Sequence, residues 1–319
     1  MADFHNIGRG FCGTVWSTAS PGPAFKREDG GPQRSLANDF TMHKRLLEAF
    51  VTAKQNGIHI RVKIPQCDTF ITPDQHDWWR ENLPRFPEGY TPCNMIQAQR
   101  IPPFKEPTRR LLVEKFCPDE IQKEIVSSRP NEACLVRAYL GRRRTQTTRR
   151  LLRTFSLRNY PLHLDQMEEL QIPSTDIQEY ALIMAQTLAI IHWVGEVDGN
   201  DIEFVLAPPA KDSEEDEGRD TRSNDDTIIS NILGEHCMWI LDFDVCRSMS
   251  MDEKGVHQAV TAFSRNDPFF PRPQKEPSLW HTFREEYLQT SERLLSSQEL
   301  YLLPKLFITL IEESESRPL

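Results

Sequence analysis

Residues 176–193, DIQEYALIMAQTLAIIHW, are apolar on nearly every side of a helical wheel, a pattern that predicts a helix buried within a larger domain. Thr175 followed by Gln178 predicts a capping box at its start. Residues 38–54 carry Met42, Leu46, Leu47, Phe50 and Val51 at helical spacing, which predicts a second helix. Two more are predicted over 279–296 and 297–312. Short apolar or alternating runs predict strands over 5–8, 13–17, 59–64, 93–99, 134–140, 202–206 and 238–243. Ser17 to Arg34 and Pro65 to Pro92 are rich in Pro or Gly and read as loops. Strands come early and helices late, with a few exceptions. That order suits an α+β fold with a sheet-rich first part and a helical second part.

One segment breaks the pattern. Residues 208–226 are acidic, polar and free of aromatics, so burial cannot offset their ordering entropy. A disordered loop is expected at about 208–232, between two apolar strands. The 319 residues are 38% hydrophobic, enough to bury a core in about two domains or one large bilobal unit. A net charge of −9 argues against a dedicated nucleic-acid binder, whose footprint is usually basic. The longest apolar stretch, Ala181 to Val194, falls short of the roughly 20 residues a bilayer span needs, so no membrane partner is expected. The first residues, MADFHNIGRG, do not read as a secretory signal. The seven cysteines are odd in number and lack CxxC spacing, which suits reduced thiols in an intracellular protein, cytoplasmic or nuclear. Their spacing draws no zinc site, and no structural zinc is expected.

The sharpest local signal is Gly8-Arg-Gly10-Phe-Cys-Gly13-Thr-Val15, which fits G-x-G-x-x-G-x-V. Glycines so placed let backbone turn tightly and approach phosphate oxygens. Strand-like residues flank the motif on both sides, which favours a hairpin lid over a strand-to-helix turn. An ordinary glycine-rich hairpin has the same pattern. Downstream, Ala24-Phe25-Lys26 places a lysine on the next extended run. Of the acids in 38–54, Asp39 shares a face with Met42, Leu46 and Phe50, so the buried stripe selects it over Glu48. An acid in the first turn also suits the helix macrodipole. After the apolar helix come Gly195-Glu196-Val197-Asp198 and Glu203, then Trp239-Ile240-Leu241-Asp242-Phe243. An acid ending a buried strand needs a partner or a metal.

In this order the elements resemble the protein-kinase-like superfamily, including aminoglycoside phosphotransferases and other small-molecule phosphotransferases. The ordered set IGRGFCGTVW, AFKRE, NDFTMHKRLLEAF, MIQAQRIPPF, IHWVGEVDGNDIEFVL and WILDFDVCR, with NDPFFPRP, also resembles a fungal domain of unknown function often labelled zinc-finger protein, over about residues 1–315. The kinase resemblance implies a bilobal α+β fold: a β-rich N-lobe over 1–103, an Arg-rich insertion or linker over 104–158 and a helical C-lobe over 159–319. It implies ATP and Mg²⁺ as cofactors and an unknown protein or small-molecule acceptor. Gly8, Gly10, Gly13 and Val15 would cover the triphosphate. Lys26, anchored by Asp39, would contact phosphates. Gln99, Arg100 and Ile101 would form an adenine hinge. Asp198 would be the base, and Asp242 with Glu203 would hold metal. Three positions depart from the pattern: Glu196-Val197 stands for His-Arg, Glu203 for Asn, and Asp244 for the Gly of D-F-G. Nucleotide binding without turnover, in a pseudokinase-like interaction module, is the alternative.

Residues 137–158 carry Arg137, Arg142, Arg143, Arg144, Arg149, Arg150, Arg153 and Arg158. This cluster reads as a site for phosphate, acidic partner or nucleic acid, or as a solvated face neutralised by the chain's own acids. The second reading is favoured, because no aromatics interleave as a stacking platform. His192 reads as a satisfied core histidine.

Overall fold

The computed structural model describes residues 3–18, 22–30, 35–144, 155–210, 227–266 and 268–316. Among these residues the fold is mixed α+β, with two five-stranded sheets and nine α-helices. The first sheet holds β1 (His5–Arg9), β2 (Thr14–Ser17), β3 (Ala24–Arg27), β4 (Cys67–Ile71) and β5 (Met95–Ala98), in the order β1-β2-β3-β5-β4. Every pairing in it is antiparallel.

Side chains alternate across a strand, and that alternation sorts β3. Phe25 faces a cluster with Phe4, Trp16, Ile71, Trp79, Phe86 and Met95. On the same side the Arg27 guanidinium is buried over the rings of Trp79, Phe86 and Tyr90, at 5.4, 4.7 and 5.1 Å. Lys26, between them, points to the opposite face, where α1 (Leu36–Gln55) lies. Ser35 caps α1 by accepting the Asn38 N–H at 3.2 Å. Its buried stripe runs Leu36, Asp39, Met42, His43, Leu46, Ala49, Phe50 and Ala53; Val51 is exposed.

The stretch from Pro65 to Pro92 is not a loop throughout. It contains β4 and α2 (His76–Asn82). Its prolines lie outside both elements and bound them. Conversely, the strand expected over 59–64 is reduced to one bridge between Lys63 and Trp239, with Lys63 N donating to Met238 O at 2.8 Å. Pro65, which has no N–H to donate, follows directly.

The second sheet has the order β7-β6-β8-β10-β9: β6 (Val136–Tyr139), β7 (Tyr160–His163), β8 (Glu203–Ala207), β9 (Ile229–Asn231) and β10 (Gly234–Leu241). Only β6 and β7 run parallel. The end of the expected acidic loop is therefore a strand, because β9 pairs with the start of β10. Residues 211–226 lie outside the described residues.

Of residues 104–158, α3 (Glu106–Phe116), α4 (Gln122–Ser127) and β6 are described. The chain continues through α5 (Leu164–Glu169), α6 (Ser174–Trp193), α7 (Glu253–Arg265), α8 (Pro277–Leu294) and α9 (Leu302–Ser316). From Ile183 to Trp193 every α6 residue is buried, which is what its all-round apolar pattern requires. The predicted capping box is absent: α6 begins after Pro173, with no side-chain cap, so Thr175 already lies inside the first turn. His192 is fully buried and its Nδ1 lies 2.9 Å from the Tyr287 hydroxyl. Burial pushes its pKa down to about 3, so the ring is neutral. No helix among the described residues is long and apolar enough to cross a membrane.

Candidate functional site

The two sheets flank a cavity of about 580 Å³. Its roof is the β1–β2 hairpin, whose turn is closed by Gly10 N donating to Gly13 O at 2.8 Å. The three motif glycines have different reasons to be glycine. A Cβ on Gly13 would sit 1.8 Å from the Arg27 carbonyl oxygen, so the protein's own packing demands it. A Cβ on Gly8 would press on Val15 at 3.3 Å. A Cβ on Gly10 would meet nothing within 4 Å, and Gly10 borders the cavity. Asp29 pins the far side of the hairpin: its carboxylate accepts from Thr14 N at 2.7 Å and from Thr14 Oγ1 at 2.7 and 2.9 Å.

Lys26 reaches the cavity because it pairs with Val15 across the ladder, and opposed residues share a face. Its Nζ lies 2.5 Å from Asp39 of α1 and 2.7 Å from Asp242, just past β10. Burial alone would lower the lysine pKa. Asp242 and Asp39 outweigh it and hold the ammonium well above the ordinary value. The second Asp39 oxygen accepts from Phe243 N at 3.1 Å. Asn38, its neighbour, donates to the carbonyls of Asp244 and Cys246 at 2.9 and 3.0 Å. The start of α1 thus grips the Asp-Phe-Asp segment from two adjacent residues. Asp242 itself has a φ of 70°, a left-handed conformation that costs a non-glycine residue about 1–3 kcal/mol and recurs at functional sites.

The other predicted acids are placed differently. Glu203 lines the cavity, but both its oxygens accept from Arg137, from Nε at 3.0 Å and from Nη2. Burial pushes the Glu203 carboxyl above its usual range, and the guanidinium pulls against that. Asp198 is buried and is not among the residues lining the cavity. Its Oδ1 accepts from Asn200 N at 3.1 Å and Arg247 N at 2.9 Å, and its Oδ2 from Gln258 Nε2 at 2.9 Å. At the expected hinge, Gln99 N donates to Gln66 O at 2.8 Å, so that amide is engaged within the protein. Gln99 and Ile101 both border the cavity.

Two cavity residues escaped the sequence reading. Asp201 faces the cavity from a left-handed turn with φ 64°, its N–H held by Asn266 Oδ1 at 2.5 Å. Arg137 stands in the sequence among neighbouring arginines that share its composition signal. The signal that separates it is its position on β6, alone between Val136 and Ala138, both fully buried. Of the other described arginines in that cluster, Arg143 pairs with Glu168 and Glu276, and Arg144 with Asp165 and Glu169. Arg149, Arg150 and Arg153 lie outside the described residues. The neutralising acids found here belong to α5 and the start of α8.

Residues 238–299 match a family of unknown function described as "Zinc finger protein". The matched stretch runs from β10 through α8 and includes Asp242. No curated protein matches the chain. Among the described residues, no three His, Cys, Asp or Glu side chains group so as to hold a metal ion by themselves, and none of the seven cysteines forms a disulfide.

Proposed function

We infer that the chain is an ATP-binding protein on a protein-kinase-like, bilobal frame, with the cavity between the two sheets as its nucleotide site. The observation that carries this reading is Lys26, held between Asp39 and Asp242 beneath a glycine hairpin. A lysine clamped by two acids stays charged and aimed, which suits a phosphate contact. Gly10 adds support. A Cβ there would meet nothing within 4 Å, so the backbone beside the cavity is open to close approach by a ligand. Adenine recognition in this reading falls to the Gln99 carbonyl and the Ile101 amide. Mg²⁺ usually takes one or two carboxylates and fills its shell with phosphate and water, and Asp242 on the cavity wall suits that role. Bound there, the ion would offset phosphate charge.

Binding without phosphoryl transfer is favoured by one further observation. A general base must reach the proton it removes. Asp198 instead accepts three hydrogen bonds from its own chain, away from the cavity.

The test is a thermal-shift titration with ATP, with and without Mg²⁺, on the native protein, Lys26→Met and Asp242→Asn. A ligand that binds only the folded state raises stability by mass action. The expected result is a metal-dependent rise that both substitutions abolish. A well-folded protein showing no rise at millimolar ATP would overturn the reading.

A further inference from the structure

The kinase resemblance assigns two metal-binding positions, Asp242 and Glu203. Their partners differ. Asp242 lies 2.7 Å from the Lys26 ammonium, which itself borders the cavity. Glu203, 15% exposed, has both oxygens engaged by one guanidinium in a fork-to-fork pair. A cation at Glu203 would have to displace Arg137 and leave a guanidinium on a central strand without its carboxylate, an arrangement that buried ion pairs resist. Arg137 is itself a cavity residue, and burial is outweighed by Glu203 and Tyr139 in keeping it charged.

The geometry points to Arg137 as the built-in replacement for a second metal ion: nucleotide binds with a single divalent cation, on Asp242, and the Arg137 guanidinium supplies the other positive charge to the phosphates. The inference rests on the nucleotide reading above. Chemically it is economical. A guanidinium carries five N–H donors; Glu203 uses two of them in fixing its plane and Tyr139 takes a further hydrogen bond, so donors remain for a phosphate oxygen. Glu203 then acts as a positioning residue for Arg137 and not as a ligand. The swap also explains why Glu stands where the resemblance expects Asn. A carboxylate, unlike a neutral amide, gives the arginine opposite a full charge partner.

The experiment counts Mn²⁺ by electron paramagnetic resonance in the full chain, titrated in the presence of the non-hydrolysable β,γ-imido analogue of ATP. Nucleotide occupancy is measured in parallel by equilibrium dialysis. The expected result is one protein-bound Mn²⁺ per bound nucleotide. Arg137→Ala should weaken nucleotide binding by tenfold or more and add a second Mn²⁺ on the uncovered Glu203. Glu203→Gln, which removes the fork that fixes Arg137, should keep one Mn²⁺ and weaken nucleotide binding, by less than Arg137→Ala does. Two Mn²⁺ per nucleotide in the unsubstituted protein would overturn the inference and leave the nucleotide reading standing. Absence of any bound nucleotide would overturn both. The count on the unsubstituted protein decides the matter even if Arg137→Ala fails to fold.

Discussion

Two acidic corners of this protein began with equal standing in the sequence and ended with different characters. At the Lys26 corner, Asp39 and Asp242 converge from α1 and the end of β10 on one cation that borders the cavity. At the Asp198 corner, a carboxylate of the same type takes hydrogen bonds from Asn200, Arg247 and Gln258 and lies off the cavity. The first arrangement keeps charge at a ligand-accessible surface. The second uses charge to fasten one loop to another. An aspartate in a motif-like position is therefore identified by what its oxygens face, and spacing does not report that.

The largest expected effect comes from breaking the first corner. Asp39→Ala removes the nearer partner of Lys26 and leaves the Phe243 N–H without its acceptor. Lys26 keeps Asp242, but losing a charge-assisted hydrogen bond and leaving a buried amide unsatisfied together cost about 3–5 kcal/mol. Urea unfolding should show that loss as a lower midpoint at unchanged slope, and nucleotide affinity should fall with it.

A pH experiment separates the cavity from the helical core behind it. His192 is buried neutral, with its pKa pushed from 6.5 down to about 3. A group whose folded pKa is depressed contributes stability above its unfolded pKa and loses it as pH falls through that window. Each pKa unit corresponds to about 1.4 kcal/mol, so stability should drop by on the order of 3–4 kcal/mol between pH 6.5 and 3. His192→Gln, which cannot take up the proton, should flatten that part of the melting-temperature profile. The Lys26 corner behaves oppositely. Its raised lysine pKa contributes stability that persists until pH climbs above the ordinary lysine value of 10.5. If Lys26→Met left the alkaline limb as it is in the native protein, the separation would fail.

The second corner should respond in stability and not in binding. Asp198→Asn keeps one acceptor for the Asn200 and Arg247 amides but disturbs the contact with Gln258. A cost of about 1–2 kcal/mol is expected, with nucleotide affinity within twofold of the native value. A large loss of affinity in a protein of native stability would return Asp198 to the chemistry and dissolve the contrast.

The sequence made α1 and α6 legible because their buried faces are long and periodic. It made Asp39 legible for the same reason: a single acid in an apolar stripe has few explanations. Helical α2, only seven residues long, and strand β4, only five, were hidden among prolines that bound them without entering them. The bond between Arg137 and Glu203 could not be read, because the two residues meet only through the pairing of β6 with β8. The fate of Asp198 depends likewise on Arg247 and Gln258, which lie far along the chain and reach it only in the folded state.

The smallest effect makes the finest distinction, within the glycine hairpin itself. Gly13→Ala forces a methyl against the Arg27 carbonyl and should destabilise the protein by about 1–3 kcal/mol as the hairpin shifts. Gly10→Ala adds a methyl to open space, with no left-handed backbone to strain, so its stability should stay within about 0.5 kcal/mol of native. If the space beside Gly10 is where phosphate oxygens approach, the same methyl should weaken ATP binding severalfold while calorimetry shows an unaltered fold. A Gly10→Ala protein that binds ATP as the native protein does would mean that the hairpin closes the cavity without touching the nucleotide. Phosphate contact would then rest on Lys26 and Arg137 alone.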